Sequence, residues 1–66
     1  MDMYILKIKE IRQAKKMTQQ ILAEKIGISR NYLSELENGK WDIKLDLLIK
    51  ISNVLGVHPS KLIKNK

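Results

Sequence analysis

The chain of 66 residues contains no cysteine, no phenylalanine, one histidine and one proline. Without cysteine it can form neither a disulfide staple nor a zinc–thiolate site. The lone His58 offers no ligand cluster, so no metal or other cofactor is expected. Aromatic residues make up 5% of the chain, too few for a platform on which single-stranded bases stack, which favours duplex DNA over RNA as a partner. No apolar run approaches the ~20 residues that span a bilayer. The N-terminal residues lack the long apolar stretch and small-residue cleavage site of a secretory signal. A cytoplasmic protein with no membrane attachment is the corresponding expectation. There is also no glycine-rich phosphate loop, and no serine or threonine has a base placed beside it by a recognised motif. The chain is therefore not expected to be an enzyme.

What the chain does have is positive charge and helical pattern. Its formal net charge is +6, a balance that favours a polyanionic partner. Lys7, Lys9, Arg12, Lys15 and Lys16 form one basic group, and Lys61, Lys64 and Lys66 another. Between residues 28 and 45 the charges nearly cancel, so charge alone does not mark a DNA-reading face.

The apolar spacing predicts an all-α fold of five helices in one domain over residues 1–66. Tyr4, Ile8, Ile11 and Ala14 place a first helix at about 4–15, with no strand. Thr18 offers an N-cap for a second, with Leu22, Ala23 and Ile26 inward and Gly27 at its end. Ser29 caps a third, whose inward residues are Leu33 and Leu36 and whose outward ones are Arg30, Asn31, Ser34, Glu35 and Asn38. Leu45, Leu48, Ile51 and Leu55 stripe a fourth, ended by Gly56. His58-Pro59 starts a short fifth, with Leu62 and Ile63 closing the core.

The informative stretch is about 18–37, two short helices joined by a turn at Gly27. They must cross closely, which suits the small Ala23, while the glycine permits the turn. The third helix, at about 29–38, is then presented polar face outward, as a major-groove reader requires.

The run TQQILAEKIGISRNYLSELENGK resembles the helix-turn-helix of the Cro and phage-repressor class, the XRE family. The resemblance extends from about residue 6 to 63, through Arg12 ahead of the motif and Leu45, Leu48, Lys50, Ile51, Leu55, Gly56, Val57 and Leu62 behind it. It implies a compact five-helix lambda-repressor-like domain. It also implies a sequence-specific regulator of transcription, a repressor in its simplest form, that binds a palindromic operator as a homodimer. Ser29, Arg30, Asn31 and Glu35 match positions that face base edges, where Arg suits guanine, Asn adenine and Glu the cytosine amino group. Thr18, Gln19, Tyr32, Asn38, Lys40 and Lys44 match positions along the phosphate backbone. Arg12 and Glu37 match a structural ion pair between helices. The dimer surface is expected at the fifth helix, near Val57 to Ile63.

Some residues depart from the family pattern. Lys16 stands where a turn glycine is usual, which predicts local strain. Ile21 replaces a charged residue, Trp41 and Asp42 replace basic loop residues, and Ile43 replaces a frequent proline. Ile21, Trp41 and Ile63 offer an apolar patch and keep a second reading open, a protein-binding module such as an antitoxin or an antagonist of another regulator.

Overall fold

The computed structural model describes residues 4–65; residues 1–3 and Lys66 of the C-terminal basic group lie outside it. The elements run in the order β1 (Tyr4–Leu6), α1 (Ile8–Ala14), α2 (Gln19–Ile26), α3 (Arg30–Glu37), α4 (Leu45–Leu55), a 3-10 turn (Pro59–Leu62) and β2 (Ile63–Asn65). The fold is mostly helical, as the apolar spacing predicts. No helix among the described residues is long and apolar enough to cross a membrane.

Two parts differ from the sequence expectation. Tyr4–Leu6 is a strand, not the first turn of a helix, and it pairs antiparallel with Ile63–Asn65 in the register Tyr4↔Asn65, Ile5↔Lys64, Leu6↔Ile63. The backbone N–H of Lys7 continues the ladder to the Leu62 carbonyl at 2.7 Å. Tyr4, Ile5 and Leu6 fit a pleated, half-buried surface, and their partners lie at the far end of the chain, where local periodicity cannot show them. Helix α1 consequently starts at Ile8, and Ala14 is exposed rather than inward. The short fifth helix is a single 3-10 turn. His58 caps it by accepting from the Ser60 N–H at 3.2 Å, Pro59 begins it, and the chain turns into β2 before an α-helical turn can follow.

The helices bury one cluster: Ile8 from α1, Leu22, Ala23 and Ile26 from α2, Leu33 from α3, and Leu48, Ile51 and Leu55 from α4, closed by Leu62. Ile63, expected to close the core with Leu62, is instead 40% exposed in β2, because successive residues of an extended chain point to opposite sides. Full burial of each large side chain contributes about 1.5–3 kcal/mol. Leu45, assigned to the α4 stripe, is 70% exposed. It is the first residue after the Lys44 cap, so it sits at the helix end, short of the face that Leu48, Ile51 and Leu55 turn inward.

Candidate nucleic-acid interface

Each helix of the central pair is started by a hydroxyl. Thr18 accepts from the Ile21 N–H at 3.1 Å, and Ser29 from the Tyr32 N–H at 3.0 Å. Such caps satisfy otherwise orphan amides and typically stabilise by about 1 kcal/mol. Gly27 ends α2 at φ +90°, and an added Cβ would meet nothing within 4 Å. The glycine is needed for its left-handed backbone, not for space. This turn sets α3 against α2, with Leu33 and Leu36 inward.

A polar network holds the pair in place. The Arg12 guanidinium donates to both carboxylate oxygens of Glu37, from Nε at 2.7 Å and Nη2 at 3.0 Å, and from Nη1 to the Met17 carbonyl at 2.9 Å. Gln19 Nε2 donates to the same Glu37 carboxylate at 2.9 Å, while its Oε1 faces Arg30 Nη1 at 3.4 Å. Buried charge at the end of α3 is thus tied to α1, to the start of α2 and to the first residue of α3. Arg12 is drawn out of the N-terminal basic group and into the interior.

On the outward face of α3, Arg30 and Asn31 are exposed. One turn further, Glu35 accepts from the Trp41 indole Nε1 at 2.7 Å and pairs with Lys40 Nζ at 3.4 Å. Lys40 also lies 5.6 Å from the centre of the Trp41 ring. The indole N–H, helped by the Lys40 charge and opposed by partial desolvation, holds the Glu35 carboxylate below its usual pKa. The loop after α3 is thereby strapped to the recognition face.

The other residues singled out by the sequence fall around this face. Ser29 and Thr18 are exposed with their hydroxyls engaged as caps, Tyr32 is half-buried, Asn38 ends α3, and Lys40 and Lys44 are exposed in the loop before α4. The sequence places Trp41 in the loop and in a candidate partner patch, and does not reveal its bond to Glu35. No signal in the sequence marks that bond, because an indole N–H at the surface is equally satisfied by water.

A helix-turn-helix with a capped, polar, outward second helix and flanking cations defines a DNA-binding domain. The chain belongs to the helix-turn-helix family, whose profile it matches over residues 8–62. It is 37% identical over 57 residues to the immunity repressor protein of Bacillus phage phi105, covering 86% of this chain and 40% of that protein. To the control protein C.BamHI of Bacillus amyloliquefaciens it is 40% identical over 58 residues, covering 86% of this chain and 72% of that one. The fold superposes on a Bacteroides fragilis protein with a TM-score of 0.89 at 35% identity, covering 94% of this chain and all of that one. It superposes on the regulator SinR in complex with DNA with a TM-score of 0.76 at 34% identity, covering 82% and 87% respectively. The family is one of DNA-binding transcription regulators of the Cro and phage-repressor type, not of enzymes.

Proposed function

We propose that this protein is a repressor that binds a palindromic operator as a homodimer, with α3 of each copy in successive major grooves about one helical turn apart. The observation that carries this reading is the outward face of α3, where Arg30 and Asn31 stand exposed beside the capped helix start. Arg30, Asn31, Ser29 and Glu35 read base edges. Arg and Asn supply bidentate patterns for guanine and adenine, and the Ser29 hydroxyl also caps the helix. Thr18, Gln19, Tyr32, Asn38, Lys40 and Lys44 lie along the phosphates, where the N-terminus of α2 adds free amides and a partial positive charge. The Arg12–Glu37 pair holds α3 to α1 and makes no contact with DNA. The dimer forms through the surface near Val57 to Ile63.

Binding selection from random duplex DNA tests this, run beside the Arg30→Ala, Asn31→Ala double variant at one fixed salt concentration. The wild type is expected to enrich a palindromic motif, and the double variant to bind without that preference. Equal, weak binding of all duplexes by the wild type overturns the reading. It would leave the protein-binding module, for which Ile21, Trp41 and Ile63 are exposed.

A further inference from the structure

We infer that Trp41 is a specificity-determining positioning residue: its indole N–H clamps one oxygen of Glu35 so that the other is presented to the amino group of a cytosine. The inference rests on the placement of α3 in the major groove proposed above. Glu35 lies four residues after Asn31, so the two share one helix face. A free glutamate on such a face has many rotamers and no fixed direction. Here Oε1 is held at 2.7 Å by a donor that can only donate, fixed in a loop at the C-terminal end of α3. Trp41 is 49% exposed, so its indole is not consumed by the core.

The second oxygen is held more loosely. Lys40 reaches Oε2 at 3.4 Å, with its side chain 59% exposed. Beside a duplex, the Lys40 ammonium has a phosphate to move to, and its departure leaves Oε2 open while Oε1 stays clamped. A carboxylate is acceptor-only. Cytosine offers an amino donor with no acceptor beside it in the major groove, adenine sets its N7 acceptor next to the amino group, and guanine and thymine offer carbonyl oxygens. An oriented Glu35 therefore favours cytosine and repels the other three, and Trp41 provides the orientation without touching the base.

The test is binding selection and competition on the enriched duplex, with wild type, Trp41→Phe and Glu35→Ala. Phenylalanine keeps the ring and removes the N–H. The expected result is a cytosine preference at one position per half-site in the wild type. Both variants should lose it by about tenfold at that position and keep the preferences read by Arg30 and Asn31. Glu35→Ala marks the position read by the carboxylate, and Trp41→Leu, which also lacks the N–H, takes the place of Trp41→Phe with the same expected loss if the phenylalanine variant does not fold. If Glu35→Ala leaves every position unchanged, or Trp41→Phe folds and either keeps the cytosine preference or weakens all positions equally, the positioning role is overturned. If the wild type enriches no motif at all, groove reading by α3 falls as well.

Discussion

The Arg12 guanidinium and the Glu37 carboxylate meet across 25 positions of sequence through two parallel hydrogen bonds, with the Glu37 side chain only 1% exposed. Glu37 is the last residue of the recognition helix and Arg12 lies on α1, so the pair sets where α3 ends relative to the rest of the fold. Paired, the two charges offset each other's desolvation. Separated, either leaves an uncompensated charge inside the protein. Glu37→Ala is expected to destabilise by about 3–5 kcal/mol in urea unfolding. Replacing both residues by apolar ones of similar size should recover most of that loss. A double-mutant cycle showing additive effects would mean that the contact is not what holds the helix.

Lys16 adopts φ +58° in the loop between α1 and α2 and is the one non-glycine residue with positive φ among those described. A side chain there costs about 1–2 kcal/mol, whereas glycine loses about 0.5–1 kcal/mol more chain entropy on folding. Lys16→Gly should therefore stabilise by about 0.5 kcal/mol, a rise of a few degrees in Tm. Lys16→Val, with a branched Cβ, should lower Tm. Calorimetry of the two variants checks the order; equal melting temperatures would contradict the strain.

Much of this arrangement was legible in the sequence because it is local. Thr18 and Ser29 declare helix starts, Gly27 a left-handed stop, and Ala23 a close crossing, each within a few residues of what it controls. The β1–β2 pairing was not legible, because its signal is a partner some sixty positions away and Tyr4 also fits the helical spacing of Ile8, Ile11 and Ala14. Leu45 was misplaced because periodicity does not mark which residue of a stripe falls outside the packed face. The Glu35–Trp41 bond was hidden for a different reason. Both residue types fit a solvated surface, and only the path of the loop brings the indole back to the helix.

That bond has a pH signature. The Glu35 pKa is depressed in the folded protein, chiefly by Trp41, so its contribution is complete above the unfolded glutamate value and is lost as pH falls through the lower folded value. The chain has one tryptophan, so its emission reports on this contact. Trp41 fluorescence should stay constant from neutral pH down to the ordinary glutamate range and change only below it. A Glu35→Gln variant should lack that step. A step of the same size in the variant would assign it to another carboxylate.

Ile63, 40% exposed, lies at the end of the surface assigned to the dimer. A charge placed there would have to be buried on association, while in the monomer it stays in water. Ile63→Glu is expected to shift sedimentation toward the monomer and to weaken operator binding, with the helical circular dichroism retained. An unchanged sedimentation profile would move the dimer surface elsewhere.

The lysines of the loop before α4 separate affinity from specificity. A cation on a phosphate releases counterions, so the logarithm of the binding constant falls with the logarithm of salt by about 0.9 per phosphate neutralised. Lys44→Ala should therefore weaken binding to all duplexes alike and reduce that slope by about 1. Among the described residues Lys44 has no ion-pair partner, so the whole effect is on DNA. Lys40 differs, because in the free protein it already faces Glu35. Lys40→Ala should reduce the slope similarly, but it also removes a contact that exists before DNA arrives, so its loss of affinity at low salt should be the smaller of the two. Arg30→Ala is expected to cost about 1–3 kcal/mol on the preferred duplex and much less on an unrelated one. Equal losses on both duplexes would place Arg30 on the backbone instead of the bases.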